Sequence, residues 1–321
     1  MKQFLTISLV FFGLLVYAQD VSVIKLRSET SRAVKKEFDS TEWVWKRGGL
    51  FSFTLSQGSL SNWAAGGDNF SLAANTSLTY FLFYRKGRHI WDNSIDLNLG
   101  YVNTTSSGGR KNDDRMDYLT KYGYKMDSTG KWYVSGLFNF RSQFFNGYNY
   151  GATPAELTSS FLSPGYFIFS IGFDFKPIPQ FSLFLSPLTS RYIVVTNNEL
   201  SAKGLYGVPK GAHSLNEVGA FITANYVVTL AKNIGYKGRL DLFSNYIQDP
   251  QNIDLYMTNL FAFKINSHFS ATYSLDLIYD DNVRLFGENK TSPALQAKSL
   301  IGIGYMLPLA VKKASTKVMF K

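Results

Sequence analysis

Trp91-Asp92-Asn93-Ser94-Ile95-Asp96-Leu97-Asn98-Leu99-Gly100-Tyr101 decides the fold. Its odd positions read Trp, Asn, Ile, Leu, Leu, Tyr, and its even positions Asp, Ser, Asp, Asn, Gly. Side chains two apart on a strand share a face, so this segment predicts a strand with one apolar face and one wet face. The same period returns downstream. Phe269, Ala271, Tyr273, Leu275 and Leu277 alternate with Ser270, Thr272, Ser274 and Asp276. Phe167, Phe169, Ile171, Phe173 and Phe175 share a side, and Lys237, Arg239 and Asp241 alternate with Tyr236, Leu240 and Leu242.

Carried along the chain, the pattern predicts about twelve strands, near 48–58, 69–84, 89–103, 114–126, 131–145, 164–176, 180–196, 214–230, 235–247, 251–265, 268–281 and 296–308. Most exceed the roughly 9–11 residues that cross a bilayer as a tilted strand. Short links at 85–88, 127–130, 177–179, 232–233 and 266–267 alternate with long ones at 59–68, 104–113, 146–163, 197–213 and 282–295. Only the short link at 248–250 breaks the alternation. Short turns on one side and longer loops on the other are a rule of outer-membrane barrels, and a soluble sandwich has no reason to follow it. The fold class is therefore all-β, a transmembrane antiparallel β-barrel of about twelve strands. The first link is long, which puts both termini in the periplasm. Tyr80, Tyr84, Trp91, Trp132 and Tyr133 then fall near the periplasmic ends, where an aromatic girdle is expected.

Composition agrees. The chain has 27 Phe, 20 Tyr and 5 Trp, yet its mean hydropathy is only -0.08. A barrel with half of each strand in lipid and half in a polar lumen has this balance. No cysteine is present, which excludes disulfides, thiolate metal sites and cysteine nucleophiles. Lys2 followed by the apolar run Phe4 to Tyr17 reads as a signal peptide over 1–18, cleaved near Ala18. A periplasmic leader over 19–46, the barrel over 47–309 and a basic periplasmic tail over 310–321 complete the expected organisation. The net charge of +10 falls by one when Lys2 is removed. For an exported chain the counter-charges are outer-membrane lipids or an envelope protein met through the leader and tail, and nucleic acid is not an expected partner.

Between the first two strands, the segment Gln57 to Asn69 departs from the repetitive pattern. Gly48-Gly49, Phe53, Gln57, Leu60-Ser61-Asn62-Trp63, Gly66-Gly67 and Asn69 together resemble a family of uncharacterised outer-membrane proteins of Gram-negative, Bacteroidetes-type bacteria, known only as a domain of unknown function. The resemblance implies a barrel and a compartment, and it carries no functional residues. Physically, Gly66-Gly67 permit positive φ. Gln57, Asn62, Trp63, Gly66, Gly67 and Asn69 form either a constriction loop folded into the barrel mouth or a rigid corner between strands.

The chemistry-bearing residues point away from catalysis. His213-Ser214 is an adjacent Ser–His pair, and neighbours in sequence rarely face each other for proton transfer. No Gly-x-Ser-x-Gly elbow or His-Glu-x-x-His occurs, and Asp113-Asp114 and Asp280-Asp281 lack a calcium-loop context. The expectation is a protein that is not an enzyme and holds neither cofactor nor metal. The wet parity instead gathers Asp92, Asp96, Arg141, Asp174, Arg239, Asp241 and Asp276 inside the barrel. Mixed signs there allow two functions: a narrow channel or uptake barrel for a small polar solute, or a closed barrel serving as a scaffold subunit of an envelope machine.

Overall fold

Alternation becomes architecture by closing the sheet on itself, because a strand edge left open in lipid would strand its N–H and C=O groups. The computed structural model describes residues 44–59, 70–150, 154–266, 268–281 and 292–314. The expected signal peptide, nearly all of the expected leader and the last seven residues lie outside them.

Twelve strands form the closed barrel: β1 (Trp45–Ser59), β2 (Phe70–Lys86), β3 (His89–Thr104), β4 (Gly108–Lys125), β5 (Trp132–Ser142), β8 (Gly165–Ile178), β9 (Phe181–Val194), β10 (Ser214–Ala231), β11 (Ile234–Asn245), β12 (Ile253–Lys264), β13 (Phe269–Tyr279) and β14 (Gln296–Ala314). β1 closes on β14 from Trp45↔Ala314 to Thr54↔Gly304. The paired sheet thus begins at Trp45 and runs to Ala314, beyond both bounds of the expected 47–309. In the link after β5 lie the small strands β6 (Gly147–Asn149) and β7 (Glu156–Ser159). After β9 comes a short helix α1 (Asn198–Lys203), started by the Asn197 side chain accepting from Leu200 N and ended at Gly204 with φ 67°. Ile193, Val195, Leu200 and Val208 bury each other there, so this link is a packed cap on the rim opposite the termini.

Three departures from the sequence reading have physical causes. The link at 104–113 is no long loop, because β3 and β4 run to Thr104 and Gly108 and leave a tight turn. Residues 108–114 hold no apolar side chain, so this projecting hairpin shows no alternation to read. In β9 the inward parity changes from Ser182, Phe184 and Ser186 to Thr189, Arg191 and Ile193, across a register shift around Pro187-Leu188. A bulge inserts one residue and reverses every facing beyond it. Finally, Tyr133 is not in the girdle. Trp132 faces out, stacking on Phe175 at 4.5 Å, so its neighbour must face in, and Tyr133 is buried with its hydroxyl donating to Gly130 O at 3.0 Å. Trp45, Tyr84 and Trp91 cluster outside at the same end.

The outer face is apolar: Phe169, Ile171, Leu188 and Ile301 are exposed there. It is the surface that lipid covers, and the chain is a transmembrane β-barrel. Two strands approach closely at Gly219, where an added Cβ would lie 1.9 Å from Ser244 O. Gly219→Val is expected to force β10 and β11 apart at a cost of about 1–3 kcal/mol. The check is the temperature at which the folded, fast-migrating gel band disappears, and an unchanged temperature would contradict this packing.

Candidate functional site

Ionisable side chains on inward parity are partly withdrawn from water once neighbouring strands close the lumen, which favours their pairing with one another. They do so across the barrel. Asp241 on β11 accepts from Arg239 Nε at 2.6 Å on one oxygen and from Arg141 Nη2 of β5 at 2.6 Å on the other. Asp117 on β4 lies 3.7 Å from both guanidiniums and accepts from Asn139 at 2.7 Å. Arg141 also stacks on the Tyr256 ring at 4.6 Å. Tyr256 in turn accepts from Arg115 Nη1 at 3.0 Å. Arg115 belongs to β4 and Tyr256 to β12, which are six places apart in the ring of twelve, on opposite walls. Towards the end away from the termini, Lys298 of β14 reaches Asp113 of β4 at 3.0 Å, and Arg115 faces Asp276 at 3.8 Å. Together these pairs form a latch that joins opposite walls of the lumen.

The remaining lumen is lopsided. Beside the latch, Leu119, Leu137, Phe184, Phe221 and Phe243 pack into an apolar core inside the barrel. Nearer the terminal end, Asp174 binds Lys121 at 2.7 Å and Lys176 at 2.8 Å, all three fully buried. The wall formed by β1–β3 and β12–β14 is lined instead by small polar groups, among them Ser52, Thr54, Ser77, Thr79, Thr272 and Ser274. A cavity of about 250 Å³ remains on that side, and its wall carries four carboxylates and four cations. Leu50, Phe81 and Phe83, all buried, close its terminal side. On the side of the latch away from the termini lies a second cavity of about 510 Å³, edged by six carboxylates and four cations with Ile168, Phe221 and Phe243 in its wall.

The structure places all seven lumen charges read from the sequence on the inner face, but in different company. Arg141, Arg239 and Asp241 meet in the latch, and Asp276 joins its edge away from the termini. Asp174 belongs to the buried lysine cluster, with Asp92 buried nearby on β3. Asp96 lines the smaller cavity. Of the candidate loop, Gln57 is a strand residue opposite Leu72, exposed and on the outward parity of Phe53, so it does not face the mouth. Asn62, Trp63, Gly66, Gly67 and Asn69 lie outside the described residues. His213 is spent on backbone, its Nδ1 2.8 Å from Val195 O. Among the described residues no cluster of three or more metal-ligating side chains occurs. Sequence reasoning missed Arg115, Arg191, Tyr256 and Lys298. Arg115 shares parity with Asp117 and was findable, whereas Arg191 sits beyond the β9 register shift, where parity misleads.

The fold and this lumen define a class: a transmembrane β-barrel with a charged, cross-braced interior. Residues 55–148 match the profile of a family described as Protein of unknown function (DUF3078), in line with the resemblance carried by residues 48–69. No curated protein matches the chain. Among solved structures the chain is similar to an outer membrane channel from Pseudomonas putida F1, at 8% identity over 86% of this chain and 99% of that one, TM-score 0.38. It is also similar to the NanC porin, at 10% identity over 82% and 99%, TM-score 0.35. A third is the outer membrane phospholipase of Salmonella typhi, at 10% identity over 90% and 98%, TM-score 0.36. The last overturns one expectation: a phospholipase is an enzyme built as such a barrel, so the exclusion of an enzyme drawn from the sequence does not stand. At these identities and TM-scores no activity, substrate or catalytic residue passes from these proteins to this chain.

Proposed function

We propose that this chain is an exported outer-membrane barrel that passes a small, neutral, hydrophilic solute through a lumen held shut by the cross-barrel latch. The observation that carries the reading is the latch itself, with opposite walls joined by side chains rather than by a plug of backbone. Side-chain pairs can exchange partners, and each cation here has a second carboxylate in reach: Arg141 and Arg239 both lie near Asp117 as well as Asp241. The polar cavity supports a neutral solute, because its wall is balanced at four charges of each sign and most of its other lining side chains are hydroxyls and amides.

The test is swelling of vesicles that hold the full-length protein, with a neutral monosaccharide, a zwitterionic amino acid and an anionic sugar acid as solutes. The variant combines Arg141→Gln, Arg239→Gln, Asp117→Asn and Asp241→Asn, which removes two charges of each sign and keeps the net charge. It is expected to admit the monosaccharide at least about tenfold faster than wild type, with the anion slowest. A folded variant as impermeable as wild type would refute the passage and favour a closed scaffold. The exported, outer-membrane part of the reading is checked separately by fractionation: recovery as soluble periplasmic protein would end it.

A further inference from the structure

The net charge of +10 is not spread over the barrel. At the end bearing both termini, Lys86 and Arg88 in the β2–β3 turn, Lys131 after the β4–β5 turn, Lys232 in the β10–β11 turn and Lys312 and Lys313 on β14 are all exposed. Arg47 on β1 and Lys264 at the end of β12 are half-buried at the same level. Among the described residues outside the lumen at this end, the one acid is Asp127. Its turn consumes it: the Thr129 hydroxyl and the backbone N–H groups of Lys131 and Trp132 donate to its carboxylate, holding that carboxyl well below the usual range. The opposite end is mixed, with Glu156 and Glu199 paired to Lys203 and Asp249 exposed.

We infer that this end is a docking rim for anionic phospholipid headgroups of the leaflet it faces. Two features favour lipid over an acidic protein. The cations run around the circumference, on turns from opposite sides of the ring, where a protein partner would cover one side. They also sit just beyond the aromatic belt of Trp45, Tyr84, Trp91 and Trp132, and such belts lie at headgroup depth, so the phosphates meet the lysines. Basic side chains at a membrane surface are attracted by anionic lipid over about one Debye length, about 10 Å at 0.1 M salt. The rim does not depend on whether the lumen conducts.

The test is competition folding of the full chain into phosphatidylcholine vesicles and vesicles that also contain phosphatidylglycerol, with lipid retained through detergent extraction identified by mass spectrometry. Wild type is expected to prefer the anionic vesicles and to retain phosphatidylglycerol. Combining Lys86→Gln, Arg88→Gln, Lys131→Gln and Lys312→Gln should lower that preference by about tenfold or more, and 1 M salt should do the same. The gel-mobility shift on heating verifies that the variant is folded, and a single Lys86→Glu provides a milder second variant. Equal use of both vesicles by wild type, or a preference that survives the four substitutions, would overturn the inference. Binding to polyglutamate without lipid preference would assign the rim to an acidic protein and overturn it too.

Discussion

Asp241→Ala is expected to destabilise the barrel by about 3–5 kcal/mol, the range found when one partner of a buried charge pair is removed. Asp241 accepts from Arg239 on both carboxylate oxygens and from Arg141 on one of them, so its loss leaves two guanidiniums facing each other inside the lumen. Asp117 at 3.7 Å takes up only part of the imbalance. Urea titration of the protein in vesicles, followed by tryptophan fluorescence, measures the change. The four-site variant that neutralises both signs should unfold closer to wild type than Asp241→Ala does, because it leaves no charge unpaired. An Asp241→Ala protein within about 1 kcal/mol of wild type would mean that the latch bears little of the lumen's electrostatics.

Leu275→Arg is expected to cost roughly 2–4 kcal/mol, the penalty for a cation on the lipid face near the bilayer midplane. Leu275 sits at the middle of β13 on its outward face, paired with Asn259 on one side and Ser299 on the other. Asp96→Asn, on the inner face of β3 in the wall of the polar cavity, should be far milder, since no ion pair of Asp96 is lost among the described residues. The same urea titration ranks the two. If Asp96→Asn proved the costlier change, the inside and outside of the barrel would be interchanged.

Much of this was legible in the residues. The middles of β3 and β13 alternate between apolar and polar residues, so parity alone puts Asp96 and Leu275 on opposite sides, and the structure places them so. Glycines and charges at the short turns marked where strands reverse. Legibility failed where alternation lost its cause. The Gly108–Asp114 stretch stands beyond lipid and is polar on both faces, so strand looked like loop. Arg191 follows a bulge at a proline, which cannot complete a ladder bond, and its facing reverses. Tyr133 was grouped with Trp132 by residue type, although adjacent strand residues cannot share a side.

The latch was out of reach for another reason. Parity says which way a side chain points, not which wall it meets. Arg141 and Asp241 are 100 residues apart, and Arg115 and Tyr256 are 141 apart. Their meeting depends on the strand count, which sets the width of the barrel, and on the register of every strand between them. Mixed charges on inward parity were therefore compatible with an open pore or a braced one until the ring closed.

Single-channel recording in a planar bilayer tests the central claim, that side-chain pairs between opposite walls keep the lumen shut. Wild-type protein should be silent apart from brief, rare openings. The charge-balanced variant at Arg141, Arg239, Asp117 and Asp241 should show long-lived openings of small unit conductance. A steadily open wild-type channel, or a folded variant as silent as wild type, would contradict it.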